Sequence, residues 1–174
     1  LDSLEGERYV LGARNSGAEH TGMYILDALG IDYQQKFTLG YMTYGASAGA
    51  MQDGNIVGMN VPAGPPVTAI TQAFAQMRSS MTVLDFDSSQ IAAINQRYPL
   101  WQAYELPPET YPYQDESIMT AASPNVLIVR RDVSEQIVYD LTRMLWENLT
   151  TLQQIRSATR SMKLEGALQG IPVP

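Results

Sequence analysis

An α/β fold, with an open and mostly parallel sheet flanked by helices, is what this sequence predicts. Three observations carry that expectation. Short apolar runs alternate with stretches of helical period, most runs end in a turn rich in glycine, asparagine or proline, and an amphipathic stretch lies near the end of the chain. The chain has 174 residues, 45% of them apolar. A domain of that size buries about 70% of the surface its unfolded chain exposes, so one compact core is the default.

Glu7 to Ala13 reads as a strand through Tyr9, Val10 and Leu11, and Arg14-Asn15-Ser16-Gly17 turns it. Met23, Leu26 and Leu29, with Ile25 beside them, predict a helix that Gly30 stops. The unit repeats with Phe37 to Met42 as a strand, Ala46 to Gln52 as a helix closed by Asp53-Gly54, and Ile56 to Val61 as the next strand. Pro62-Ala63-Gly64-Pro65-Pro66 leads into a helix from Val67 to Arg78, and prolines suit a helix entry because the first amides lack intrahelical acceptors. Met81 to Phe86 reads as a strand. Ser88 then caps a helix carrying Ile91, Ile94 and Tyr98, which Pro99 ends. Four βα repeats follow from this pattern.

From Trp101 to Ser117 the pattern gives way to a Pro- and Tyr-rich loop, a candidate hinge. Val126 to Val129 reads as a strand, and Ile137, Leu141, Leu145 and Leu149, with Val138, lay an apolar stripe along a four-turn helix. Thr150 to Pro174 is weakly helical as far as Leu168. The expected organisation is a ligand-binding lobe over 1–102, a crossover loop and strand over 103–133, and a C-terminal helical segment over 134–174.

Eleven Lys and Arg against eighteen Asp and Glu give a formal charge of −7, which argues against a nucleic-acid groove or an anionic membrane surface. The chain has no Cys and one His, which removes disulfides, structural zinc and thiol catalysis from consideration. No apolar run approaches the roughly 20 residues that span a bilayer, and Leu1 does not open a signal peptide.

In an open parallel sheet, ligands bind beyond the C-terminal ends of the strands, where helix entries present unpaired amides. Two segments fit. In Asn15-Ser16-Gly17-Ala18-Glu19 small residues allow close approach, and the Ser16 hydroxyl and the helix-entry amides suit a carboxylate; the alternative is a plain βα turn capped by Ser16. In Ala63-Gly64-Pro65 glycine again allows close approach, while Pro65 and Pro66 subtract two donors, so a pure turn is an equal reading. Arg14 adds a cation beside the first turn, suited to bidentate pairing with a carboxylate. Of the ten tyrosines, Tyr44 is the one placed just after a strand to meet a ligand. His20 reads as a surface or packed side chain, and Asp115-Glu116 as a solvated loop.

These motifs together resemble the TAXI family of TRAP-transporter solute receptors. LDSLEGERYVLGARNSGAEHTGMYILDALGI is similar to the family's strand, Gly-Ser-Gly-Thr-Glu turn and helix, and PAGPPVTAI to its Gly-Gly-Pro-Pro turn. RYPLWQAYELPPETYPYQDESIMTAASPNVLIVRRDVSEQIVYDLTRMLWENL resembles its Tyr-Pro and Thr-Tyr-Pro-x-Gln-Asp-Glu signature, and EGALQGIPVP its ending. The sequence departs from the pattern at Arg14, where proline is common, at Asn15 for Gly and at Ala18 for Thr.

The resemblance implies a lobe of a two-lobed type II periplasmic binding protein with no cofactor and no catalytic activity. Such a receptor captures a small organic acid or amino acid, glutamate-like in some members, in the periplasm and delivers it to TRAP membrane subunits. Its signal peptide would lie upstream or have been removed. The family's N-terminal segment, which forms most of the opposing lobe, has no counterpart here, so weak or no solute binding and self-association of the isolated lobe are expected. Two other classes are open: a sensor module of the same fold within a signalling protein, and an enzyme using Glu19 or Asp53 as a base, which lacks a nucleophile–base pair.

Overall fold

The computed structural model describes residues 4–155 and 157–168. They form two compact units, Leu1–Ala122 and Ser123–Pro174.

The first unit opens with strand β1 (Arg8–Val10), helix α1 (Gly17–Ala28), the single turn α2 (Tyr33–Lys36) and strand β2 (Thr38–Gly40). Helix α3 (Tyr44–Gln52), strand β3 (Gly58–Met59) and helix α4 (Thr68–Met77) follow. The strands form a parallel sheet in the order β2-β1-β3, with Arg8 opposite Thr38, and Tyr9 between Leu39 and Gly58. The α/β class, with its open parallel sheet and flanking helices, is therefore present.

Side-chain alternation along β1 divides the packing. Leu11 joins Leu26 and Phe37 in a buried cluster that gathers Tyr9, Met23 and Leu39, and the Tyr9 ring stacks on Phe37 at 5.1 Å. Val10 is fully buried. α3 packs on α4, and a second cluster joins Ile70 and Phe74 of α4 to Leu106 and Tyr111. Each such side chain removed from water stabilises the fold by about 1.5–3 kcal/mol before entropy is set against it.

Glycines stand where neighbouring atoms leave no room for a Cβ. A Cβ on Gly12, which sits at φ +137, would stand 2.6 Å from the Ala18 Cβ, and one on Gly58 would stand 2.7 Å from the Tyr9 ring. The turn residues Gly30 (φ 71) and Gly54 (φ 70) take up the left-handed conformation after α1 and α3, as the expected stops require.

Beyond α4 the structure departs from expectation. Met81–Phe86 is not a strand: it is joined to its neighbour only near its end, where Phe86 N–H donates to the Met119 carbonyl at 2.9 Å and the Asp85 carboxylate, rather than a backbone carbonyl, takes the Met119 amide at 2.6 Å. Among the described residues three parallel strands are formed instead of four. Helix α5 (Ser88–Arg97) is capped by Asp87, not Ser88, through a reciprocal pair of hydrogen bonds with Gln90. Part of the stretch read as a loop is strand β4 (Gln102–Leu106), paired antiparallel with β5 (Ile118–Ala122). Its alternating polar and apolar residues are too few to announce a strand, and only the distant partner makes it one.

The second unit contains α6 (Glu135–Glu147) and α7 (Leu149–Ile155), followed by 3-10 turns at Ser157–Ser161 and Leu164–Gly166. Ser134 caps α6, and Leu149 belongs to α7 rather than to one continuous four-turn helix, because Asn148 breaks the run. Val126–Val129, read as a strand, has no ladder partner among the described residues and is exposed, with Leu127 at 68% and Ile128 at 83%. The closing EGALQGIPVP falls partly outside the described residues. Among the described residues no helix is long and apolar enough to cross a membrane.

Candidate functional site

The sheet order reverses between β1 and β3, and such a switch point opens a crevice at the carboxyl ends of the strands. Three exits meet there. Met42 N–H, leaving β2, donates to the Gly12 carbonyl at 3.1 Å, and Asn60 N–H, leaving β3, donates to the Val10 carbonyl at 2.8 Å. The loops after all three strands are thereby tied to one edge.

The first turn is built around its own carboxylate. Ser16 caps α1 by accepting from Glu19 N–H at 3.2 Å, and Glu19 folds back so that its carboxylate accepts a short hydrogen bond from Asn15 N–H. Glu19 is buried, as is Ala18, which packs beneath Gly12. Asn15 sits at φ 59, a left-handed conformation that asparagine tolerates better than other non-glycine residues. Gly17 is exposed with open space around it, and its amide and that of Ala18 have no intrahelical acceptor.

Arg14 is exposed and lies across the face of Tyr41, its guanidinium carbon 3.9 Å from the ring centre. The stack brings a cation from the β1 exit over the β2 exit. Thr43 precedes α3 without a side-chain cap, so the amides of Tyr44, Gly45 and Ala46 also lack intrahelical acceptors.

The second turn stands beyond β3. The Tyr44 hydroxyl donates to the Pro62 carbonyl at 3.3 Å, and burial pushes that hydroxyl's pKa upward. Ala63 N–H donates to the Val61 carbonyl at 3.0 Å. Ala63 and Gly64 are exposed and Pro65 is partly covered. At the far end Val67 N–H donates to the Tyr111 hydroxyl at 3.2 Å.

Arg14, Asn15, Ser16, Gly17, Ala18 and Glu19 thus form the β1 exit, while Tyr44 is bonded to the turn holding Ala63, Gly64 and Pro65. Sequence reasoning missed Asn60 and Tyr41. Asn60 Nδ2 donates to the Ala18 carbonyl at 2.8 Å, with the Leu11 carbonyl at 3.4 Å, and so bridges β3 to the start of α1. No local pattern marks that bridge, because Asn60 read only as a residue within the expected strand Ile56 to Val61.

A family model described as the NMT1-like family matches residues 1–174. The chain belongs to the NMT1-like family. That family is of the periplasmic-binding-protein type, so this NMT1-like chain is a solute-binding protein, and the α/β lobe with its loop-lined sheet edge is the architecture such binding uses. No curated protein matches the NMT1-like chain.

Proposed function

We propose that this NMT1-like chain is the ligand-holding lobe of a receptor of the TAXI type, which captures a small carboxylate-bearing solute in the periplasm and delivers it to TRAP-type membrane subunits. The observation that carries the reading is the placement of Arg14 over Tyr41 at the edge where all three strand exits are tied. A solute carboxylate there pairs with the Arg14 guanidinium and accepts hydrogen bonds from the uncapped amides at the α1 and α3 entries. Binding involves no covalent step. Closure of an opposing lobe over the solute removes water and strengthens each of these contacts, and the closed form is what the membrane subunits recognise.

Glu19 limits which ligands fit. Its carboxylate already occupies the Asn15 amide, so a second anion has to sit on the Arg14 side of the turn rather than at that amide. Calorimetric titration of this chain, beside a form extended upstream, with dicarboxylates and acidic amino acids tests the reading. Binding by the extended form that is lost in its Arg14→Ala variant is the expected result. No heat from any carboxylate in either form, or binding indifferent to Arg14, overturns it.

A further inference from the structure

The Thr110-Tyr111-Pro112-Tyr113-Gln114 stretch supplies no residue to the strand exits themselves and meets them only through the Tyr111 hydroxyl at Val67. It is nevertheless braced from within. Gln114 is 7% exposed; its Nε2 donates to the carbonyls of Pro107 at 2.9 Å and Glu116 at 2.8 Å, and its Oε1 accepts from Tyr111 N–H at 3.2 Å. Glu109 N–H closes the loop on the Gln114 carbonyl at 2.8 Å. A glutamine spent on three backbone groups of its own loop fixes the residue at the loop's tip. That residue is Tyr111, 6% exposed, its ring parallel to Phe74 of α4 within 4° at a centroid distance of 5.3 Å.

What Tyr111 holds is the far end of the proline turn. Pro62, Pro65 and Pro66 carry no N–H, so the turn has few backbone bonds of its own. Its two ends are instead held by two tyrosine hydroxyls, Tyr44 on the Pro62 carbonyl and Tyr111 on the Val67 amide. We infer that Tyr111 is a positioning residue for the solute site: braced by Gln114 and stacked on Phe74, it fixes the Ala63-Gly64-Pro65 wall from outside, in concert with Tyr44. The inference rests on the solute-binding reading for its consequence, but the pinning itself is measurable without solute.

The test is amide hydrogen exchange and amide chemical shifts by NMR on this chain, wild type against Tyr111→Phe, which keeps the ring and its stack. Val67 exchange is expected to rise about tenfold, the weight of one hydrogen bond, and the Ala63 and Gly64 resonances to move, while Ile91 and Ile94 of α5 keep wild-type exchange. In Tyr44→Phe the Ala63 and Gly64 resonances move and Val67 exchange stays unchanged. Unaltered Val67 exchange in Tyr111→Phe, or equal acceleration throughout α5, overturns the inference, the latter because it marks general destabilisation. Succinate and L-glutamate at millimolar concentration supply the second readout. Shifts at Gly64 that weaken in Tyr111→Phe support the positioning role, and shifts of equal size in both proteins overturn it. If neither solute shifts wild-type resonances, the carboxylate reading is what fails, and the exchange data still decide the pinning.

Discussion

Arg14 and Tyr41 leave different strands, yet the guanidinium carbon of one stands 3.9 Å from the ring centre of the other. A stacked guanidinium keeps its in-plane donors free while losing much of its rotamer freedom, so the pair presents a pre-oriented cation at the sheet edge.

Replacing Arg14 by Ala is expected to lower affinity for a carboxylate solute by tenfold or more, since a hydrogen bond to a charged group contributes about 1.5–3 kcal/mol. Tyr41→Phe keeps the ring face and should leave affinity near wild type, whereas Tyr41→Ala should cost about 0.5–1 kcal/mol of binding. Titration calorimetry of the upstream-extended form checks all three.

Glu19→Ala removes the acceptor of the Asn15 amide in a part-buried hydrogen bond, and is expected to destabilise the chain by about 1–2 kcal/mol. Glu19→Gln retains an acceptor oxygen and should cost less. Urea denaturation midpoints separate the two, and equal losses would count against the hydrogen bond as the cause.

Two glycines five residues apart should respond oppositely to alanine. At Gly12 the added Cβ meets Ala18 and Glu19 at a φ of +137, so a loss above about 2 kcal/mol is expected. Gly17 opens α1 with nothing within 4 Å of the new atom, so Gly17→Ala should gain about 0.4–1 kcal/mol by restricting the unfolded chain. Thermal melts of the two variants give the signs directly.

Burial raises the Tyr9 hydroxyl from 10.0 to about 12. Between those values the unfolded chain has given up the proton that the folded chain keeps, so stability is level below pH 10 and falls as pH climbs toward 12. Tyr44 and Tyr111 are shifted in the same direction, also by burial, and add to the fall. Tyr9→Phe should flatten this limb in a series of urea midpoints from pH 9 to 12; an unchanged slope would rule Tyr9 out as a main contributor.

Local signals made much of the fold legible. Ser16 as a cap, Gly30 as a stop and the Ile91–Ile94 face of α5 depend on neighbours a few residues away, and each stands where expected. What failed depends on partners far along the chain. Met81–Phe86 has strand chemistry but no full ladder beside it, while Gln102–Leu106 has weak strand chemistry and acquires a partner in Ile118–Ala122. The site followed the same division. The turns at Arg14 to Glu19 and at Ala63 to Pro65 were visible as turns, but the inward fold of Glu19, the Asn60 bridge and the Tyr41 platform are relations between segments that no single window contains.

The sparse interior of the Ser123–Pro174 unit bears on how the chain comes apart. No residue of α6 or α7 is buried, and Val126–Val129 is exposed along its length. With so little apolar surface removed from water among its described residues, this unit is expected to open at low free energy, and heating should release it in a shallow, early step ahead of the sharp transition of the sheet-bearing unit. A protease at low dose would accordingly trim the chain from its C-terminal side and leave a resistant fragment ending near Ala122.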